Sequence, residues 1–322
     1  MKKLSEWIVR YRNRILTVAV LLLIPSVYGY MKTDINYDLL SYLPQDCESM
    51  KAQKVLGEDF NLSSVDFLVC NNKTDAQAAQ IRQEISEIDG VEKCMWRDEV
   101  LDISIPKEAI PDEISKMLYE GDNTMMIVTF EEPTSSPKTM QAISEIKKYT
   151  DEDCYLGGIS AISEDTKDQT EHDTPIYAGI AVILCMAVLF LGLESTVAPI
   201  VFMIGMIFPI AYNFGTNFFL GSISYITKAL AVVLQLAVTM DYSIFLLHRY
   251  EEEKNRHEPM QAMALAIQAT FTSITSSSIT TIAGFAALCV MQLTLGADIG
   301  IVMAKGVVLG VLSTIFVLPS LL

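Results

Sequence analysis

Long charge-free runs dominate the pattern of this chain. Residues 15–31, 175–193, 195–227 and 259–297 contain no Asp, Glu, Lys or Arg. A helix needs about 20 predominantly apolar residues to cross the hydrocarbon core of a bilayer. Windows of that size fit at 12–31, 175–193, 197–215, 225–247, 272–293 and 299–321, so the pattern predicts six membrane-spanning helices. The first window follows a basic start (Lys2, Lys3, Arg10, Arg12, Arg14). It is read as an uncleaved helix, because Tyr28-Gly29-Tyr30-Met31-Lys32 is a poor cleavage site for a signal peptidase.

Between the first two windows the period changes. After Tyr42-Leu43-Pro44 an amphipathic stretch runs over roughly 48–60. Val65–Cys70 is apolar and β-prone. Ile81, Ile85 and Ile88 then recur at helical spacing over 74–89, with Thr74 or Asp75 as cap and Gly90 as stop. Val91–Trp96 reads as a strand. The pattern repeats with a strand at Met125–Phe130, a helix over roughly 136–150 (Met140, Ile143, Ile146 and Tyr149 on one face) and a short strand opening at Cys154. Residues 101–121, with Pro106 and Pro111, form the connector. Two β-α-β units in series predict a ferredoxin-like arrangement. The expected fold is therefore a six-helix membrane bundle with an α+β ferredoxin-like domain outside the membrane. Its segments are 1–31 (cytoplasmic start and first helix), 32–174 (extracytoplasmic domain) and 175–322 (the remaining five helices).

Charge sharpens this division. The formal net charge is −16. Residues 32–174 hold 13 Lys/Arg against 31 Asp/Glu, a net of −18, and the remainder is +2. The acidity thus belongs to the external domain, which argues against nucleic acid and against docking on anionic lipid through that domain. Basic residues mark cytoplasmic loops. The five Lys/Arg within the first 14 residues place the amino terminus in the cytoplasm. Counting helices puts the link His248–His257 on the same side and residues 32–174 on the other.

Ionisable side chains inside a bilayer are costly and mark function. Asp241 lies seven residues before His248, about 10 Å inside the cytoplasmic boundary at the helical rise. A carboxyl in low-dielectric surroundings can take up and release a proton near neutral pH, and the neighbouring Tyr242 phenol can donate to it or relay a proton. A structural ion pair or a hydrogen-bonded helix contact is the other reading of Asp241. The fifth window begins with a hydroxyl run, Thr272-Ser273-Ile274-Thr275-Ser276-Ser277-Ser278-Ile279-Thr280-Thr281. Residues 277–281 fall about 8–14 Å deep, level with Asp241. Ser277 or Ser278, Thr281 and Gly284 share a face, either as a polar path beside the carboxylate or as tight small-residue packing. Lys305, about 9 Å from the outer end of the sixth window, is too far from Asp241 in depth to pair with it. It is expected to snorkel toward the outer interface or Asp298, or to meet another subunit or repeat.

Of the six Cys, four lie in 32–174 (Cys47, Cys70, Cys94, Cys154) and two in spans (Cys185, Cys289). No Cys or His spacing fits a metal site, and no cofactor is expected beyond the proton as coupling ion. In the predicted sheet the first and last strands are antiparallel neighbours, so Cys70 and Cys154 should lie at one edge. They form a disulfide or are two small buried apolar residues. Three His and no HExxH or nucleophile-elbow pattern argue against a hydrolytic enzyme.

Three segments carry a family resemblance: Val238-Thr239-Met240-Asp241-Tyr242-Ser243-Ile244-Phe245 with trailing Arg249 and Glu251, Ser278-Ile279-Thr280-Thr281-Ile282-Ala283-Gly284-Phe285, and the closing Leu318-Pro319-Ser320-Leu321-Leu322. With Tyr42-Leu43-Pro44, the chain resembles the RND superfamily of transporters in its MMPL, or hydrophobe-exporter, branch, with a sterol-sensing-domain-like core. The resemblance implies a proton-driven secondary transporter of lipids, drugs or other amphiphiles. Asp241 and Tyr242 would form its relay and residues 32–174 its porter-type domain. The family usually has two such repeats, so the chain is expected to be one half of a longer protein or a half-transporter that pairs with a copy or partner subunit. A SecDF-like protein-export accessory and a non-transporting lipid-sensing or scaffold module are the alternatives. Expected partners are membrane lipids, a hydrophobic or amphiphilic substrate and the second repeat, with no nucleic acid.

Overall fold

The computed structural model describes residues 2–60, 64–97, 119–149, 153–192 and 197–322. Most of the 101–121 connector, including Pro106 and Pro111, lies outside the described residues. The chain divides into two compact units, Tyr37–Gln169 and Met1–Asn36 with Thr170–Leu322.

The second unit begins with α1 (Lys2–Arg10) and α2 (Arg12–Lys32), followed by β1 (Asp34–Asn36). The basic start is thus a helix of its own rather than an unstructured lead-in. It is amphipathic: Ser5, Ile8 and Val9 are buried, and Lys2, Lys3 and Arg10 are exposed.

The other unit contains α3 (Glu48–Asp59), β2 (Val65–Asn71), α4 (Asp75–Ser86), β3 (Val91–Met95), β4 (Tyr119–Glu120), β5 (Asn123–Phe130), α5 (Pro137–Tyr149) and β6 (Cys154–Gly158). Thr74 starts α4 because its hydroxyl accepts from the Gln77 N–H while Gln77 Oε1 accepts from the Thr74 N–H, so two otherwise orphaned donors are satisfied. The sheet order is β3-β5-β2-β6, antiparallel throughout, with β4 paired to β5 through a turn at Gly121 (φ +62°). Alternate residues of β2, Leu68 and Cys70, face inward. They meet Met126, Val128 and Phe130 of the sheet and Ile85, Ile143 and Ile146 of the two helices. In the β2–β6 register Cys70 stands opposite Cys154, and their sulfurs are 2.6 Å apart.

One buried charge ties this sheet to the next helix, α6 (Ile159–Gly192). Asp66 of β2 is 0% exposed, and its carboxylate accepts from the Ser160 N–H (3.2 Å) and the Ala161 N–H (2.9 Å). A strand residue therefore caps the first turn of α6, where donors lack partners and the helix dipole favours a negative charge. Gly158 (φ +152°) makes room, since a Cβ there would sit 1.9 Å from Asp66 Oδ1. Burial pushes the Asp66 carboxyl above its usual range, and the N–H bonds oppose that shift.

The membrane-type helices are α2, α6, α7 (Ala198–Thr216), α8 (Tyr225–Lys254), α9 (Pro259–Leu288) and a last rod. That rod comprises α10 (Thr294–Leu312), a π-helical turn (Ser313–Val317) and α11 (Leu318–Leu321). Six helices among the described residues are long and apolar enough to cross a membrane. Three boundaries differ from the windows drawn on hydropathy. The second helix starts at 159 rather than 175, because a helix need not stop where the chain leaves the apolar layer. The fourth continues to Lys254 through the residues read as a link, held by Arg249 to Glu252 and Glu253. The fifth starts at Pro259, not 272, because its opening turns bury Ala262, Met263, Ala266 and Ile267.

Small residues set the helix contacts. Gly29 of α2 meets Gly215 of α7 so closely that a Cβ on Gly29 would lie 2.1 Å from the Gly215 carbonyl oxygen. Gly306 and Gly310 of α10 make room for Gln235 and Thr239 of α8. Van der Waals contact of close backbones is the main attraction available where the surrounding lipid is as apolar as the side chains. β1 pairs in parallel with β7 (Ser222–Ser224), matching Asp34 with Ser222 and Asn36 with Ser224, and so clips the exit of α2 to the entry of α8.

Candidate functional site

On α8, positions 241, 245 and 248 fall at i, i+4 and i+7, which places Asp241, Phe245 and His248 along one face. Ser277 and Thr281 are spaced i, i+4 on the neighbouring α9. These residues, with Val238, Tyr242 and Ile244, line one cleft of about 420 Å³. Sequence reasoning thus brings Asp241, Tyr242, Ser277 and Thr281 to one place. It missed His248 as a lining residue, although the seven-residue spacing from Asp241 was available as a signal.

Hydrogen bonds order this group. The Tyr242 hydroxyl donates to Thr281 Oγ1 at 3.2 Å, and Thr281 Oγ1 donates to the Ser277 carbonyl at 3.1 Å. Tyr242 is buried, at 4% exposure, whereas Asp241 is exposed. Among the described residues no ion pair or side-chain hydrogen bond engages the Asp241 carboxylate. Cys185 of α6 lies within its electrostatic reach. Ser278 is turned the other way, buried at 3% and donating to the Thr275 carbonyl at 2.8 Å. One residue step turns a helix by about 100°, so Ser277 and Ser278 cannot both face the cleft. Gly284 stands in open space, with nothing within 4 Å of an added Cβ. The arrangement offers a carboxylate, a phenol and a threonine hydroxyl beside an imidazole, all groups that can hold or pass a proton. It leaves the α8–α9 face uncovered.

A second polar cluster was not legible beforehand, apart from Lys305. Lys305 Nζ donates to the Asn213 carbonyl at 3.0 Å and to Asn217 Oδ1 at 2.5 Å. The cation thereby meets the last turn of α7, where carbonyls lack partners and the dipole is negative. Asp298 does not serve Lys305. Its carboxylate accepts from the Ser224 N–H at 2.8 Å and from the Thr227 hydroxyl, holding the start of α8. Asn213 Nδ2 donates to Gln235 Oε1 at 2.6 Å, and Gln235 Nε2 donates to the carbonyls of Pro209 (2.9 Å) and Gly306 (3.3 Å). Both amides are almost fully buried. This cluster locks α7, α8 and α10 together. The amides at 213 and 235 inside apolar windows, and at 217 in the charge-free run 195–227, were its signal in the sequence.

The family model described as MMPL family matches residues 41–322. The membrane protein YdgH of Bacillus subtilis is 25% identical over 307 residues, covering 88% of this chain and 33% of that protein. The apo-petrobactin exporter of Bacillus anthracis is 23% identical over 320 residues, covering 96% of this chain and 42% of the exporter. The chain therefore spans well under half the length of these curated relatives. A crystal structure of SecDF in its super-membrane-facing form superposes with a TM-score of 0.48 and 12% identity, covering 97% of this chain and 37% of that one.

Proposed function

Because the chain belongs to the MMPL family and is a multi-pass membrane protein, we propose that it is one six-helix repeat of a proton-driven secondary transporter that exports hydrophobic or amphiphilic molecules. The observation that carries this reading is the cleft where Asp241, Tyr242, Thr281 and Ser277 converge, with the phenol bonded across the helix pair to Thr281. In this reading Asp241 takes up the proton, Tyr242 and Thr281 pass it along, and Ser277 supplies the next oxygen. Ser278 supports the helix from its buried side. Lys305 pins the outer half of the last helix to the end of α7 and takes no part in the relay.

A carboxylate on an open face in a bilayer needs cover. The second repeat, in the same longer chain or in a second copy, supplies it against α8 and α9. This is consistent with relatives more than twice as long. The basic first residues and the link 255–258 face the cytoplasm. Residues 37–169 form an extracytoplasmic porter-type domain of ferredoxin-like build, for which the β3-β5-β2-β6 order is the support. Export is also what the name of the Bacillus anthracis relative, the apo-petrobactin exporter, states of that protein.

The test is gradient-driven transport of an amphiphilic dye in proteoliposomes holding the full-length protein. Asp241→Asn, which keeps the shape and removes the titrating group, should abolish accumulation driven by a pH gradient. Full accumulation in that variant would overturn the role of Asp241 as proton carrier, and no accumulation by the unaltered protein would instead favour a non-transporting lipid-sensing or scaffold module.

A further inference from the structure

A groove larger than the Asp241 cleft, at about 720 Å³, lies between α2 and the last rod, floored by Tyr212 of α7. Its wall along α2 is Ile15, Val18, Ala19 and Leu22, and Leu312 and Phe316 face them. The Tyr212 hydroxyl is already spent on the Ala19 carbonyl at 2.7 Å, so the floor offers no free polar group. The opposite wall includes the π-helical turn Ser313–Val317, an irregularity that recurs at functional sites.

Apart from Tyr212 and Ser313, the polar side chains of the lining gather at one end. There Arg14 lies over the Tyr11 ring, 5.1 Å from guanidinium carbon to ring centroid, and Trp7 packs against the same ring at 5.5 Å. Among the described residues no carboxylate pairs with Arg14, and the side chain is exposed. From Arg14 to Leu22 the helix rises about 12 Å, so the groove is an apolar trough with a cation at its mouth. The mouth is flanked by Arg10, whose guanidinium carbon lies 6.0 Å from the centroid of the Tyr11 ring, and by the tryptophan and tyrosine that favour the membrane–water boundary. The amphipathic α1 is held in place by Gln268 of α9, whose amide donates to Ser5 Oγ at 2.9 Å.

We propose that this groove is a binding site for an anionic phospholipid of the cytoplasmic leaflet, with its phosphate on Arg14 and one acyl chain lying along Val18, Ala19 and Leu22. Charge complementarity selects the occupant. A guanidinium recognises phosphate oxygens through two parallel N–H bonds, and an apolar trough that continues from it suits an acyl chain and no soluble anion. The leaflet follows from the orientation proposed above. The site itself does not require proton transport, and the experiment below applies no gradient, so its failure is separable from failure of the transporter reading.

The chain has two tryptophans. Trp7 lines the groove, and Trp96 is 2% exposed in the core of the other unit. The full-length protein with Trp96→Phe, and with any tryptophan outside this chain also replaced, reports on the groove alone. It is placed in phosphatidylcholine nanodiscs and titrated with phosphatidylglycerol or phosphatidylcholine carrying brominated acyl chains, which quench tryptophan on contact. Half-quenching of Trp7 should need about fivefold less brominated phosphatidylglycerol than brominated phosphatidylcholine, the worth of one basic side chain at an anionic surface. Arg14→Gln should remove that preference, and Arg14→Lys, which keeps the charge, should retain most of it. Lys3→Gln, on the same basic segment but away from the groove, should leave it intact. Ala19→Phe, which fills the trough, should weaken quenching by both lipids. Equal half-quenching by the two lipids would overturn the proposal. So would a preference that survives Arg14→Gln, or one that Lys3→Gln removes equally, since attraction would then be diffuse.

Discussion

Replacing Tyr242 by Phe separates structure from proton handling more cleanly than replacing the carboxylate does. The change deletes one oxygen and leaves the ring, 4% exposed, in its socket. The bond lost is the 3.2 Å contact to Thr281, longer than the usual O–H···O range of roughly 2.5–3.0 Å. Side-chain hydrogen bonds within membrane bundles average ~0.6 kcal/mol and reach ~1.7, so a long one belongs near the lower figure. Thr281 is not orphaned, because its hydroxyl still donates to the Ser277 carbonyl. The expected loss of folding stability is therefore about 0.6 kcal/mol. If the phenol passes protons, the loss in rate is that of a positioned acid–base group, about 10²-fold, or about 2.7 kcal/mol of barrier. Two assays on the full-length protein decide it: unfolding measured by steric trapping in lipid, and proton uptake into proteoliposomes after a pH jump, followed with an internal pH dye. Near-native stability with collapsed proton uptake supports the relay. Unchanged uptake in Tyr242→Phe, with no energetic coupling to Thr281→Val, would refute the reasoning.

Three further outcomes follow from the packing. Asp66→Ala removes the cap on α6 and should cost about 1–2 kcal/mol, read by thermal unfolding of the unit Tyr37–Gln169 within the whole protein. Because burial raises the Asp66 carboxyl above 3.8 in the folded state, its titration contributes stability that is fully present below pH 3.8 and is lost as pH rises through the folded value. Asp66→Asn should erase that part of the pH dependence. Gly306→Ala would put a methyl 2.8 Å from Asn213 Nδ2 and 3.0 Å from Gln235 Oε1, and should destabilise the bundle by about 1–3 kcal/mol. Gly284→Ala, with nothing within 4 Å, should stay within about 0.5 kcal/mol, and denaturation in detergent compares the two. Cys70 and Cys154, opposite each other in register and 84 residues apart, should be recovered as one linked peptide in non-reducing maps. Such a link would be worth about 4.5 kcal/mol by loop entropy. Recovery of both thiols unmodified would contradict it.

The sequence by itself determined the elements and their membrane character. Charge-free length is a nearly sufficient statement about a bilayer, since an unpaired backbone group in hydrocarbon cannot be tolerated and the helix is the local answer. The alternation in Val65–Cys70 and the helical spacing of Ile81 and Ile85 also needed no partner to be read. Asp241, Tyr242, Ser277 and Thr281 were legible because a polar side chain in an apolar run is conspicuous, and helical geometry fixes its depth and face. Tertiary structure alone decided what depended on a neighbour. Hydropathy placed the start of the fifth helix at 272, but Ala262 and Ala266 pack inside the bundle and extend it to Pro259. Lys305 was conspicuous, yet its partners are a carbonyl and an amide at the end of α7, which no spacing in one helix specifies. The burial of Asp66 as a cap on a helix about 95 residues later and the turning of Ser278 away from the cleft also required the fold. So did the groove beneath Arg14, formed by residues about 300 positions apart. Local periodicity tells which face of an element is apolar. Only the packed chain tells which other face it meets, because that choice is made by shape and by the pairing of groups that the sequence keeps far apart.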